Sequence, residues 1–253
     1  MRTVSNEDLL RLATVDNFRD VAGDGYATTD GGRVRTGVFF RSNELRLSGA
    51  DLETLTALGL TAIIDLRSQG EIDRHPDPEV PGATWLHYDL FGIPMERVAA
   101  VQTVDDAEEI MHTVYRGFVD DPHSRDHLGG VLRQLAGGGK QLFHCTAGKD
   151  RTGWTAALLL HIAGVDDATI ASDYLLTNAR SAASRARLRA TIVDAAGPER
   201  AKVFEPTLIA DISFLRAASD AVEASYGDRD SYLREGLGLD DEVLGRLRAL
   251  LRD

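Results

Sequence analysis

The stretch Lys140-Gln141-Leu142-Phe143-His144-Cys145-Thr146-Ala147-Gly148-Lys149-Asp150-Arg151-Thr152-Gly153 decides the fold. Its first six residues, Lys140 to Cys145, read as a strand. From Thr152 to Ala163 the chain is apolar over helical length, and Gly164 closes it. A tight loop at 144–153 joins the two. In an open parallel sheet a ligand sits beyond the carboxyl end of a strand, at a helix N-terminus. Backbone N–H groups and the helix dipole there favour an anion, so the Cys145 thiol is expected to ionise more readily than a free one. Five residues separate Cys145 from Arg151. A loop of that length wraps its amides around a tetrahedral oxyanion, and Arg151 closes the cradle with a planar, bidentate fork. Gly148 permits torsions that a side chain would forbid, and Gly153 lets the helix start close to the ligand.

Outward from that loop, the chain alternates strands and helices. Gly31-Gly32 reads as a turn before a strand at Val38-Phe39-Phe40-Arg41. Ser48 with Asp51 predicts a helix start, Leu52, Leu55 and Leu58 its spacing, and Gly59 its stop. Thr61 to Leu66 is a short apolar run without helical length and reads as a buried strand. Ser68 with Glu71 opens a short helix, Pro76, Pro78 and Pro81 mark a loop, and Thr84 to Asp89 reads as a strand. Residues 91–104 look irregular. Helices are predicted over 106–118 and 125–136, then over 167–179, 182–196, 206–226, 229–236 and 240–252. The fold class is therefore α/β: a parallel central sheet flanked by helices, with a helical C-terminal annex. At 253 residues the chain reads as a single domain, 1–253. Its sheet-containing core spans about 1–165 and the annex about 166–253.

Composition narrows the function classes. Hydrophobic residues at 43% and charged residues at 27% are ordinary for a globular chain, which excludes wholesale disorder. A net charge of −12 excludes a general nucleic-acid surface, because that binding rests on a basic face. The longest apolar stretch, Trp154 to Val165, is too short for a transmembrane segment. Cys145 is the only cysteine, so neither an intramolecular disulfide nor a cysteine-based zinc site can be built. Residues 1–11 have no apolar signal-peptide core, so the expected location is cytoplasmic, with export by a non-classical route as the other option.

Cys145-x5-Arg151-Thr152 resembles the phosphate loop of the protein tyrosine phosphatase superfamily. In the form His-Cys-Thr-Ala-Gly-Lys-Asp-Arg-Thr-Gly it is similar to the bacterial tyrosine/lipid phosphatase branch. Asn17-Phe18-Arg19-Asp20-Val21-Ala22, Phe40-Arg41-Ser42-Asn43-Glu44-Leu45, Ile64-Asp65-Leu66-Arg67-Ser68 and Ser172-Asp173-Tyr174-Leu175-Leu176-Thr177-Asn178 also resemble that branch, as do Tyr226-Gly227 and Tyr232-Leu233-Arg234. The likeness spans nearly the whole chain. It implies two-step hydrolysis of a phosphomonoester through a phosphocysteine, on phosphotyrosine, phosphoserine/threonine or phosphoinositides. Cys145 would be the nucleophile. Thr146, Ala147, Gly148, Lys149, Asp150 and Arg151 would bind the phosphate, and Thr152 would donate a hydrogen bond to the thiolate. No cofactor or metal is implied, since Arg151 and backbone N–H groups supply the positive charge. Partners reduce to the phosphorylated protein, phospholipid or inositol phosphate that serves as substrate. The oligomeric state is open.

The general acid has several candidates. Neither Trp85 nor Trp154 begins a Trp-Pro-Asp triplet. Asp150 lies inside the loop, where an incoming dianion would make a carboxyl hold its proton, as a general acid must. Its other reading is a strut paired with an arginine. Asp65 and Asp89 end strands on the same sheet edge, and Asp77 in the proline-rich loop is weaker. His144 is expected to fix the loop by a hydrogen bond. Lys149 either helps bind a multiply phosphorylated ring or points to solvent. Arg19, Arg41 and Arg67 reach the pocket rim or form salt bridges with Asp20, Glu44 and Glu71. Arg180, Arg185, Arg187 and Arg189 lie on helices read either as a lid over the site or as a solvated face.

Overall fold

A computed structural model describes residues 11–93 and 95–252; the N-terminal residues read above for signal character lie mostly outside them. In chain order the elements are β1 (Arg19–Asp20), β2 (Phe39–Ser42), α1 (Gly49–Leu58), β3 (Ala62–Asp65), α2 (Gln69–Arg74), β4 (Thr84–His87), α3 (Met95–Ala100), α4 (Val104–Asp120), α5 (Pro122–Ala136), β5 (Gln141–His144), α6 (Asp150–Ala163), α7 (Asp167–Arg180), α8 (Ala182–Ala196), α9 (Pro198–Val203), α10 (Glu205–Leu208), α11 (Ile212–Tyr226), α12 (Arg229–Ser231), a π-helical turn (Tyr232–Gly236) and α13 (Asp241–Leu251).

The strands form one sheet in the order β1-β2-β5-β3-β4. Four of them run parallel, and β1 pairs antiparallel with β2 at the edge. The register aligns Ser42, Asp65 and His144, so β2, β3 and β5 end at one level, beneath the loop that follows β5.

Alternation along the strands feeds two layers. Phe40, Ile63 and Leu142 pack with Leu55 of α1 and with Phe18. Phe39, Ile64 and Phe143 pack against residues of α4, α5 and α6, among them Val114, Val131 and Leu158. Each fully buried large apolar side chain is worth about 1.5–3 kcal/mol, against about 1 kcal/mol for a helix cap, so these layers hold the sheet and the caps set where helices begin. Helix α6 is buried on nearly every face, which explains why Trp154 to Ala163 is apolar apart from Thr155 and His161. The C-terminal helices share this core: Leu244 and Leu247 of α13 belong to it, and Tyr232 donates to the carbonyl of Phe118 at 2.9 Å.

Several boundaries follow local chemistry as read. Ser48 caps α1 by accepting from the Asp51 amide, and Gly59 ends it at φ +73°. Ser68 and Glu71 form a reciprocal capping box on α2. Other boundaries are set by distant residues. The predicted helix 206–226 is broken at Ile209–Asp211. There Asn178 holds both backbone groups of Ala210, at 2.7 and 2.8 Å, and Lys149 binds the carbonyls of Thr207 and Ile209 at 2.7 and 2.9 Å. Within 91–104 a short helix, α3, forms, and 229–236 divides into α12 and the π turn. Helix α8 buries none of its residues, and no helix of the described residues is long and apolar enough to cross a membrane.

Candidate active site

Strand β5 delivers Cys145 to the sheet edge, 2% exposed, and α6 starts five residues later. The carbonyls of the connecting loop are bound from outside. Thr146 O accepts from the Glu44 amide at 3.2 Å, and Cys145 O lies 3.4 Å from His144 Nδ1. Gly148 O accepts from Asn17 Nδ2 at 2.7 Å and from Arg41 Nη2 at 3.1 Å. Every peptide bond described is trans, so a carbonyl held outward turns the next residue's N–H to the opposite side. The amides of Ala147 and Lys149 are thereby aimed away from these anchors, as a cradle requires. Gly148 has φ +63°, and a Cβ there would lie 2.5 Å from Ser42 O, so only glycine fits.

Beneath this loop lies a buried ion cluster. Asp173 of α7 binds Arg19 Nε at 3.2 Å and Arg41 Nη1 at 2.9 Å, all three side chains being at most 2% exposed. Burial would raise the Asp173 carboxyl, but the two arginines prevail and hold it below its ordinary range. Burial, aided by Arg19, lowers Arg41 to about 10 against the pull of Asp173. The partners expected for these arginines, Asp20 and Glu44, are thus replaced by one distant carboxylate.

Arg151 turns toward α2. Its Nη1 and Nη2 donate to Glu71 Oε2 and Oε1, both at 2.7 Å, and Nη1 also reaches Leu66 O at 3.3 Å. This end-on pairing uses the tip of the guanidinium and leaves the side formed by Nε and the second Nη2 proton to another acceptor. Glu71 also accepts from the Thr146 hydroxyl and the Ser68 amide. Burial pushes the Glu71 carboxyl up, but Arg151 together with these donors holds it well below the ordinary range. Glu71 was expected to pair with Arg67; it is instead the anchor of Arg151.

Asp150 accepts from the Tyr115 hydroxyl at 3.0 Å, and Tyr115 is itself 2.7 Å from the Tyr174 hydroxyl. Lys149 Nζ lies 3.5 Å from the same Asp150 oxygen. The lysine is buried rather than solvent-pointing, and that burial lowers its pKa, against the pull of Asp150. Thr152 is fully buried and its hydroxyl has no hydrogen-bond partner among the described residues. Ala147 is exposed at the loop tip.

Asp65 ends β3 beside the loop, yet it is spent on Arg67, whose Nε and Nη2 lie 2.9 and 2.7 Å from its oxygens. Burial raises Asp65, but that arginine and His144 keep it below the ordinary range. Arg67 also donates to Asp77 at 2.9 Å, and Asp77 in turn meets His144 Nε2 at 2.7 Å. The hydrogen bond expected of His144 therefore goes to Asp77. Asp65, Asp77 and His144 bring ligand atoms within 4.8 Å of one another, and Arg67 already supplies the cation that this carboxylate pair requires. Asp89 does not end a strand as expected: β4 stops at His87, and Asp89 lies two residues beyond it, half-buried. Arg187 and Arg189 meet Asp16 and Glu205 at 3.7 and 3.5 Å on the exposed side of α8.

Sequence alone does not single out Glu71, Asn17, Tyr115 or Asp173 as site residues. Asn17 and Asp173 stood within recognised motifs, and Asn17 alone among described non-glycine residues has a positive φ, +61°. Glu71 carried a capping signal that hid its second role. Tyr115 carried none, being one aromatic on an amphipathic helix.

Residues 10–253 match the tyrosine phosphatase family. The chain is similar to a putative tyrosine-protein phosphatase of Cupriavidus necator, 36% identical over 91% of this chain and 85% of that one. It is also similar to the triple specificity protein phosphatase PtpB of Mycobacterium tuberculosis, 31% identical over 93% and 96%. A tyrosine-protein phosphatase of Nostoc commune is 29% identical over 65% and 61%. A match across almost its full length means that the chain belongs to the tyrosine phosphatase family.

Proposed function

We propose that this enzyme hydrolyses phosphomonoesters in two steps through a phosphocysteine. The thiolate of Cys145 attacks phosphorus, the P–S bond forms as the ester P–O bond breaks, and Asp150 gives its proton to the departing oxygen. Water then attacks phosphorus, loses a proton to the Asp150 carboxylate, and frees inorganic phosphate and the thiolate. Charge spread over the non-bridging oxygens would meet the loop amides and the Nε/Nη2 side of Arg151, preorganised donors of the kind that stabilise transition states. The unpaired hydroxyl of Thr152 is available to the Cys145 sulfur. The observation that carries the reading is the pairing of Arg151 with Glu71, because it fixes the fork while leaving its reactive side unspent.

Asp150 is the acid in this scheme because Asp65 and Asp77 are committed to Arg67. Phosphotyrosine is the primary substrate. Phosphoserine/threonine and phosphoinositides are further substrates, supported by the triple specificity named for the mycobacterial relative. The core shared by the sheet and the C-terminal helices supports one phosphatase domain over 1–253.

The test is turnover of p-nitrophenyl phosphate in EDTA, with vanadate as inhibitor and Cys145→Ser as control. The serine variant should bind substrate without turnover, since its hydroxyl is not ionised at neutral pH. More than a few per cent residual turnover, or activity that needs a divalent cation, would overturn the scheme.

A further inference from the structure

We propose that Tyr115, backed by Tyr174, is the positioning residue for Asp150. It holds Oδ1, so that Oδ2 is the oxygen that delivers and recovers the proton. The inference rests on the reading of Asp150 as general acid.

A carboxyl group at the first residue of a helix can rotate, and its two oxygens are chemically equal. Here they are not. Both neighbours of the carboxylate sit on Oδ1: the Tyr115 hydroxyl at 3.0 Å and Lys149 Nζ at 3.5 Å. No donor among the described residues engages Oδ2. Lys149 is a weak tether, because its closer partners are the carbonyls of Thr207 and Ile209. Tyr115 is a firm one. Its ring is fully buried on α4 and packs against Phe118, Tyr174 and Phe214, with centroids 5.2, 6.2 and 6.0 Å away.

Proton counting fixes the direction of the chain. Three oxygens, Tyr174 Oη, Tyr115 Oη and Asp150 Oδ1, share two hydroxyl protons. If Tyr174 donates to Tyr115 and Tyr115 donates to Oδ1, both protons are used. If Tyr115 donated to Tyr174 instead, the buried Tyr174 proton would have no acceptor, because Tyr115 is the only hydrogen-bond partner of that hydroxyl among the described residues. A buried unsatisfied donor is costly, so the first direction prevails. Burial and the nearby Asp150 charge keep both phenols protonated. Oδ1 therefore accepts whether Asp150 is charged or neutral, and the carboxyl proton resides on Oδ2.

Donation to Oδ1 also favours the ionised carboxyl. Lys149 and Arg151 act in the same sense from the loop and α6, and the Cys145 thiolate opposes them. Asp211 and Arg41 act on Tyr174 from the remaining neighbours. Removing the Tyr115 hydroxyl should thus make Asp150 hold its proton to higher pH and lose its orientation.

The experiment measures kcat, KM and the pH profile of kcat/KM for Tyr115→Phe, Asp150→Asn and the double variant. Phenyl phosphate serves as the poor leaving group and p-nitrophenyl phosphate as the good one. Tyr115→Phe should lower kcat on phenyl phosphate about tenfold, roughly what one hydrogen bond to a charged group supplies. It should leave KM unchanged and move the alkaline limb up by about one pH unit. On the Asp150→Asn background it should have no further effect. A limb that stays put, equal losses on both esters, or losses that multiply with those of Asp150→Asn would each overturn the proposal. If Asp150→Asn itself spares the limb and the leaving-group dependence, the acid assignment fails, and the positioning role with it. Where Tyr115→Phe does not fold, Tyr174→Phe removes only the outer member of the chain. It should move the limb in the same direction by less, and no movement would overturn the proposal.

Discussion

Arg151 and Glu71 meet end to end, with two N–H···O contacts of 2.7 Å across 80 residues of sequence. Glu71 belongs at once to the capping box of α2 and to the phosphate loop, through Ser68 and Thr146. One carboxylate thereby ties a helix start, a loop hydroxyl and the guanidinium into a single rigid unit. A charge-assisted bidentate pair of this kind fixes orientation as well as energy.

Replacing Glu71 by Gln keeps the shape and removes the charge. Arg151 would lose one of its two acceptors and swing toward other partners. A misplacement of the order of 1 Å near a reacting centre costs about 10²-fold, so kcat/KM should fall 10- to 100-fold, roughly, and vanadate affinity with it. The sign of the pH dependence follows from the depressed Glu71 carboxyl. Its stabilisation is present above the ordinary glutamate range and is lost as pH falls through the lower, folded-state value. Denaturant midpoints of the wild type and Glu71→Gln should therefore converge as the solution is acidified. Curves that stay parallel would remove Glu71 from this role.

Asp150→Asn should act according to the leaving group. Aryl esters such as p-nitrophenyl phosphate depart as stabilised anions and need little protonation. Alkyl esters such as phosphoserine or inositol phosphates depart as basic alkoxides and need the proton most. General acid catalysis is worth about 10²–10⁴-fold, so the loss should approach the upper end for alkyl esters and fall well below it for p-nitrophenyl phosphate. The alkaline limb of kcat/KM should flatten. Equal losses across a leaving-group series, with the limb intact, would mean a strut and not an acid.

What the sequence made legible is what is local. Ser48, Asp51 and Gly59 bound α1 because caps act within one turn. The phosphate loop could be read because strand, loop and helix are contiguous. Partners chosen across the fold could not be read. Arg41 looks toward nearby Glu44, yet the register of β2 turns it under the loop to Asp173, 132 residues away. Pro206 marks a helix start, but Lys149 and Asn178 claim the next turn's backbone, so the long helix begins at Ile212. Strand β1 is two residues long and exists only because β2 offers it an edge.

Asp20, at the end of β1, gives a stability signature. Burial raises its carboxyl to about 6, although the amides of Gly37 and Ala22 oppose the rise. A group raised in the folded state binds its proton more tightly there than in the unfolded chain. Its contribution is full below the unfolded value of 3.8 and is lost as pH rises through about 6. At 1.36 kcal/mol per unit this amounts to about 3 kcal/mol. Urea titrations should show wild type losing about that much relative to Asp20→Asn between pH 4 and 7. A constant difference across the window would place the Asp20 carboxylate in a fully compensated site.

The buried cluster beneath the loop separates stability from anion binding. Two arginines and one aspartate leave a net positive charge under Gly148, whose carbonyl Arg41 holds. Asp173→Asn leaves Arg19 and Arg41 buried and facing each other without a counter-charge. Breaking a buried pair in this way costs about 3–5 kcal/mol. Arg41→Met is gentler on the fold, because Asp173 keeps Arg19 and methionine fills most of the volume. It is harsher on function. Gly148 O keeps only Asn17, the Lys149 amide is held by one anchor where it had two, and a positive charge below the bound anion is gone. The two variants should therefore rank oppositely: Asp173→Asn lower in denaturant midpoint, Arg41→Met weaker in phosphate and vanadate inhibition. Thermal or urea unfolding gives the first order and inhibition constants measured well below the unfolding transition give the second. If the less stable variant were also the weaker binder, Arg41 would support the fold alone, and the orientation of the loop would have to come from Asn17 and Glu44.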